Sequence, residues 1–337
     1  MTTPALGRLS IAFQGDKPLR EYAELAALVE RYPFDTISLY NDLLFQPAFG
    51  PLMLMAPATR RVNLGVAAVN PFLCHPLTVA GEVALLDELS GGRAYLGVAR
   101  GAWLDAIGLE VRDAPRAIRE FVEMVNHLLA GDPAPYAGQH FTLIEGATLR
   151  WPARRRRVPI MIGTWGPKTV AATIDLMDDV KIGGSVNPAM VRQMRDFLRA
   201  AAAVAMGVDD RGVAITAGAV CVVDEDGAAA RALARQELAL YLGVVLALDR
   251  TGPLDPEEAT RVRAALARGD GVAAAEALSD ESLRRFALAG TPQEVVRQVI
   301  DLFDAGAGRV EFGTPHGLSE LEGIRLLGER VLPALRD

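Results

Sequence analysis

Apolar residues in this chain come in short bursts, separated by longer stretches in which they recur every three or four positions. The bursts fall at residues 9–13, 36–39, 62–69, 94–98, 159–162, 179–182, 214–223 and 309–312. Short, nearly continuous apolar runs of this kind predict β-strands covered on both faces. The intervening periodicities predict helices over 19–31, 77–89, 117–129, 168–176, 188–206 and 292–305, with a last one over 318–335. Strands alternating with helices predict a parallel sheet with right-handed crossovers, and eight such units match a (β/α)8 TIM barrel. A doubly wound open sheet would carry a glycine fingerprint after its first strand. Here Phe13 is followed by Gln14, Gly15, Asp16, Lys17 and Pro18, which is not that fingerprint.

Two stretches break the rhythm. Residues from about 225 to 290 are rich in Ala and Arg and are interrupted at 249–253, predicting extra helices inserted before the last βα unit. This insertion reads as a lid or an oligomer surface within a single domain spanning 1–337. Residues 136–151 have strand-like composition and turn residues, predicting a small hairpin over one end of the barrel.

Composition narrows the partners more than the fold. The net charge of -7 and a pI near 5.3 exclude nucleic acid as the main partner, since neutralising phosphates needs a basic surface. Cys74 and Cys221 lie far apart, each in an apolar context, which argues against a disulfide framework or a metal site and for a reducing cytoplasm. The first residues lack a basic segment followed by an apolar core, so no leader is expected. The most apolar run, 238–248, is shorter than the roughly 20 residues a bilayer crossing takes, so a core or interface helix is expected there.

In such a barrel the chemistry lies at the C-terminal ends of the strands. Those ends carry Tyr40, Asn41 and Asp42 after the second strand, Gly65, Val66 and Ala67 within the third, and Ala99 and Arg100 after the fourth. Gly163, Thr164, Trp165, Gly166, Pro167 and Lys168 follow the fifth, and Gly313 to Gly317 the eighth. Glycine lets a flat ligand or a phosphate approach the backbone, although a βα turn also uses glycine for its own geometry. Pro167 at a first helical position after Gly166 is what any helix start favours. Because this helix begins at the ligand end of a strand, its free N–H groups also make a phosphate cradle, with Lys168 adding charge.

Asp42 precedes the apolar run Leu43-Leu44-Phe45. A carboxyl group in an apolar loop has a raised pKa and suits general acid–base work; capping the next turn is the alternative. Of the four histidines, His316 is the best placed for a ligand, and His75 reads as a helix cap or a pocket wall. His127 and His140 read as structural or surface residues. Neither zincin spacing nor a nucleophile elbow nor a P-loop is present. Arg154 to Arg157 precede the fifth strand, so they belong to the opposite face and read as a solvated loop.

Three segments resemble the bacterial-luciferase-like oxidoreductases: 69–76 (VNPFLCHP), 86–93 (LDELSGGR) with 96–101 (LGVARG), and 311–317 (EFGTPHG) followed by 326–333 (LLGERVLP). The resemblance runs over roughly residues 8 to 335. It implies a (β/α)8 barrel, usually a homodimer, that binds FMN or the deazaflavin coenzyme F420 at its top. The stretches 163–168 and 178–183, with the N-P-x-x-x-H-P segment, resemble the subgroup containing methylenetetrahydromethanopterin reductase, which implies F420. Gly65 and Val66 would then hold a bulge, often with a non-proline cis peptide, behind the ring, and the cradle would take the phosphate of the cofactor tail. Deazaflavin enzymes commonly carry an Asp-His pair after the second strand, where this chain has Asn41 and Asp42. Asp42 then protonates substrate itself, water or His316 supplies the proton, or activity is lost. The expected function is hydride transfer between C5 of F420 and a small apolar substrate near Asn41, Asp42 and His316. An FMN-dependent monooxygenase, a non-catalytic flavin binder and an unrelated barrel lyase or isomerase are the alternatives.

Overall fold

The computed structural model describes residues 7–336; residues 1–6, part of the stretch read above for a leader, lie outside it, as does residue 337. Its strands are β1 (Arg8–Phe13), β2 (Thr36–Leu39), β3 (Asn63–Val69), β4 (Ala94–Ala99), β5 (Tyr136–Ala137), β6 (Thr142–Leu143), β7 (Ile160–Gly163), β8 (Asp179–Gly183), β9 (Ala214–Val223), β10 (Ala287–Gly290) and β11 (Arg309–His316). Pairing runs β1-β2-β3-β4-β7-β8-β9-β11 and returns from β11 to β1, always parallel, so eight strands close a TIM barrel.

The helices are α1 (Leu19–Glu30), α2 (Phe49–Met55), α3 (Pro76–Leu89), α4 (Ala114–Ala130), α5 (Pro167–Thr173), α6 (Pro188–Met206) and α7 (Gly227–Leu238). They continue with α8 (Leu242–Leu248), α9 (Pro256–Ala267), α10 (Gly271–Glu276), α11 (Asp280–Leu283), α12 (Pro292–Ala305), α13 (Glu320–Leu326) and α14 (Leu332–Ala334). The long helices bury one stripe each, as Ile118, Phe121, Val122 and Val125 do on α4, which is the periodicity that made them legible. The short helix α2, absent from the periodicity reading, fills the connection after β2 with Phe49, Leu52 and Met55. None of the described helices is long and apolar enough to cross a membrane.

The insertion is not purely helical. It comprises α7 to α11 and then β10, which pairs with the upper half of β9 from Ala287↔Val220 to Gly290↔Val223. The lower half of β9 pairs with β8 and stops at Gly183↔Gly218, so on this edge β9 exchanges a barrel strand for one of the insertion, while its other edge stays paired with β11 as far as Val222. A second apolar cluster, including Val222, Leu238, Leu242, Val262 and Phe286, forms the core of the insertion, and Trp165 packs against both this cluster and the main one. The expected hairpin at 136–151 is reduced to β5 and β6, two residues each.

The end of the barrel opposite the site is clamped by arginines. Arg155, read above as part of a solvated loop, instead donates to the buried Asp87 at 2.9 and 2.5 Å and to the Ala94 carbonyl at 2.7 Å. Burial of one carboxylate draws that guanidinium out of the loop. Arg93 likewise donates to the carbonyls of Ser90, Val62, Ala56 and Thr59. The LDELSGGR segment is therefore structural, with Gly91 and Gly92 in the left-handed region that its turn demands.

Candidate active site

Alternate residues of each strand face the barrel interior. In β8 these include Asp179 and Lys181, in β11 Arg309 and Glu311, and their partners prove the direction, because the contacts cross intervening strands. Lys181 Nζ pairs with Glu311 Oε1 although β9 lies between β8 and β11. Gly218 makes this possible, since a Cβ there would lie 2.9 Å from Glu311 Cβ. Ser38 of β2 donates to Glu311 Oε2, and Tyr95 of β4 donates to Ser38 Oγ at 2.7 Å, this time across β3 at Gly65. A Cβ on Gly65 would overlap the Tyr95 ring. Arg309 pairs with Asp179 at 3.2 Å and donates to Thr216 Oγ1 at 2.8 Å. Burial alone would push Glu311 up, but the charges of Lys181 and Arg309, with the hydrogen bonds from Lys181 and Ser38, hold its carboxyl below the ordinary range.

Above this charged layer the interior positions become small. Lys181 is followed two residues on by Gly183, Glu311 by Gly313, Met161 by Gly163, and Gly97 by Ala99. Ala67 and Ala68 are partly exposed, joined by a cis peptide, where the β3–β4 register shifts between Val66 and Val69. Gly163 is so close to Ala99 that a Cβ would approach Ala99 Cβ to 2.9 Å. Tyr40 stands on this level with its ring centroid 4.8 Å from Lys181 Nζ. The result is a shallow floor of Ala67, Ala68, Ala99 and Gly163 that can accept a flat ring. The expectation that Gly65 and Val66 contact a ligand is corrected: both are buried, and Gly65 is small because Tyr95 needs the space.

Asp42 is at the rim, with Gln14 Nε2 donating to its Oδ2 at 2.9 Å and the Tyr241 hydroxyl at 3.5 Å from the same oxygen. Its Oδ1 has no hydrogen-bond partner among the described residues. Burial raises the Asp42 pKa, against the opposing pull of the Gln14 hydrogen bond, the Lys181 charge and the Tyr241 hydrogen bond. Tyr241 comes from the insertion, in the turn between α7 and α8, and its ring is 5.5 Å from that of Trp103 in the loop after β4. Neither Gln14, Trp103 nor Tyr241 was found by motif reasoning. Asn41, next to Asp42, is used locally, its Oδ1 accepting from Ala48 N at 3.0 Å.

His316 does not reach the rim. It has no exposed surface; its Nε2 is 3.0 Å from the Ala12 carbonyl, its Nδ1 is 3.6 Å from Glu320, and its ring meets Phe13 edge-on. It ties the end of β11 to β1, which corrects the substrate-facing role expected from its position in sequence. His75 is a helix cap, with Nδ1 accepting from Leu77 N at 3.2 Å. At the end of β7, Thr164 N donates to the Lys181 carbonyl at 3.0 Å and Trp165 Nε1 to the Gly183 carbonyl at 2.9 Å. Gly166 N is taken by Thr164 Oγ1 at 3.2 Å. Of the expected cradle, the N–H groups of Lys168 and Thr169 remain as first-turn donors, since Pro167 has none. Lys168 and Arg100 are exposed, without an ion pair among the described residues.

Against known proteins, the family model described as "Luciferase-like monooxygenase" matches residues 3–309. The 5,10-methylenetetrahydromethanopterin reductase of Archaeoglobus fulgidus is 29% identical over 98% of this chain and 100% of its own length. Among solved structures, the coenzyme F420 dependent tetrahydromethanopterin reductase of Methanopyrus kandleri superposes with a TM-score of 0.87 at 25% identity, covering 98% of this chain and 99% of that one. A monooxygenase from Streptomyces bottropensis gives a TM-score of 0.72 at 25% identity, covering 97% and 99%. The chain belongs to the luciferase-like monooxygenase family and is an oxidoreductase.

Proposed function

We propose that this member of the luciferase-like family is an F420-dependent oxidoreductase acting on a small apolar organic substrate, with Asp42 exchanging a proton with that substrate. The observation that carries the reading is the floor of Ala67, Ala68, Ala99 and Gly163 beside a half-buried carboxyl with one open oxygen. A deazaflavin bound there supplies or accepts a hydride at C5. The protein's own part is to let a flat ring approach the backbone, to exclude water with Trp103, Trp165 and Tyr241, and to hold a proton at Asp42. Exposed Lys168 and Arg100, with the first turn of α5, form the edge assigned to the phosphate and acidic tail of the cofactor. The higher TM-score to the F420 reductase than to the monooxygenase supports an F420-dependent reductase over a monooxygenase.

In this reading the enzyme is cytoplasmic and a homodimer; exposed Leu54 on α2 and Leu77 and Leu85 on α3 support the homodimer, which light scattering on the purified protein tests. For the cofactor, purified protein is titrated separately with F420 and with FMN while the cofactor fluorescence is followed. Tighter FMN than F420 binding overturns the assignment in favour of a flavin monooxygenase. If F420 binds, its reduced form is mixed with candidate enones, imines and aldehydes, and absence of turnover with all of them favours a binding protein.

A further inference from the structure

The insertion could have been a cover that merely restricts access, but one of its side chains reaches the carboxyl group at the rim. We infer that Tyr241 is a positioning residue for Asp42: together with Gln14 it fixes Oδ2, leaving Oδ1 as the atom that gives or takes the substrate proton. This rests on the proposal above that Asp42 is the proton-exchanging group.

The geometry is specific at each member. Gln14 is nearly fully buried just past the end of β1, and its Oε1 accepts from Gly15 N at 2.9 Å. That contact fixes which end of the amide is which, so Nε2 is the end that points at Asp42. The Tyr241 hydroxyl lies 3.4 Å from the same Nε2 and 3.5 Å from Asp42 Oδ2, closing a three-member cluster built from β1, the loop after β2 and the insertion. Burial raises the Tyr241 pKa, followed by the Asp42 charge, so the hydroxyl stays protonated and acts as a donor. The Trp103 ring holds the Tyr241 ring from the side of the β4 loop.

Two donors on one carboxylate oxygen favour the charged form and direct the proton to the other oxygen. In the direction that protonates substrate, the O–H bond at Oδ1 breaks, the proton goes to the substrate atom, and the electron pair stays on the carboxylate, whose charge Gln14 and Tyr241 then share. The reverse direction retraces these movements. The other groups bearing on Asp42 are Lys181 from β8, which favours its charge, and Tyr40 just past β2, which is neutral; Glu237 of α7 bears on Tyr241. The insertion thus tunes the acid as well as covering it, and a change in its length or sequence would alter the pH at which the enzyme works.

The test needs no cofactor. Protein labelled with 13C at the aspartate carboxyls is titrated by NMR, with Asp42→Asn assigning the signal. Wild type should titrate above ordinary aspartate, and Tyr241→Phe should move the midpoint upward by about one pH unit, the size expected for loss of one hydrogen bond to the charged form. Trp103→Ala, which keeps the hydroxyl but frees the ring, should move it in the same direction by less. An Asp42 midpoint unchanged in both variants overturns the inference. Because no F420 or FMN is present, a failure of the cofactor assignment leaves this result standing. A normal Tyr241 shift with full turnover in Asp42→Asn would instead remove the proton role while leaving the hydrogen bond.

Discussion

Glu311 and Asp42 are both carboxylates withdrawn from water, and the protein treats them in opposite ways. Glu311 has partners on both oxygens, a lysine on one and a serine on the other, and its pKa is held down. Asp42 has both its donors on one oxygen, no ion pair among the described residues, and a pKa pushed up by burial. The first arrangement removes the cost of a buried charge and leaves nothing for a substrate to bind. The second raises the carboxyl above the ordinary aspartate range and leaves an oxygen free to pass a proton on. Burial of a charged group is therefore a poor guide to function; the count of satisfied oxygens is a better one.

The largest effect that sharpens this contrast is expected at Lys181. Lys181→Met strands Glu311 without its cation and should cost about 3–5 kcal/mol, read from urea or thermal unfolding. The pH dependence follows from the lowered Glu311 pKa. In wild type this group contributes stability above the unfolded carboxyl pKa and loses it as pH falls through the lower folded value. In the variant the carboxyl prefers its proton, so the gap between the two proteins should narrow as pH falls below the ordinary glutamate range. An undiminished gap at low pH would mean that packing, not charge, is what Lys181 supplies.

At Asp42 the pattern should invert. Asp42→Asn is expected to lose at least about a hundredfold in turnover, the scale of general acid–base catalysis, while unfolding is nearly unchanged. A large loss of stability with turnover intact would break the comparison, because it would make Asp42 a second structural carboxylate.

The contrast also explains what could be read in the chain. Periodicity revealed the eight barrel strands because a strand covered on both faces is a short apolar run. It missed β10, whose Ala-Leu-Ala-Gly is as short and small as a turn of helix among Ala-rich helices. It missed the interior network although a signal existed: Asp179 and Lys181, and Arg309 and Glu311, are charges at alternate positions inside strand-like windows, which is the spacing of one face. Asp42 was legible because its neighbours are apolar. Gln14, Trp103 and Tyr241 were not, since only the closed barrel and the fold of the insertion bring residues 14, 42, 103 and 241 together. His316 shows the opposite error: a residue at the right end of a strand can still turn inward, here to bond the Ala12 carbonyl.

A smaller effect separates capping from chemistry. His75 reads equally well from sequence as a pocket wall, but its ring nitrogen is engaged with the first turn of α3. His75→Ala should cost about 1 kcal/mol or less of stability, the scale of a helix cap, and should leave cofactor affinity unchanged. A loss of F420 binding would return it to the site.

The smallest effect concerns the rim cation Lys168. An exposed charge on a short helix acts through high-dielectric water, so its attraction for a phosphate is worth about 0.2–1 kcal/mol, which is at most about fivefold in affinity. Lys168→Ala should therefore weaken F420 binding by that factor at low salt, and the difference should fade as ionic strength rises toward about 0.5 M and the screening length shortens. A deficit that persists in high salt would mean that Lys168 folds over the bound phosphate and is desolvated there. In that case the rim, like Glu311 and unlike Asp42, would hold its charge in a closed and fully partnered environment.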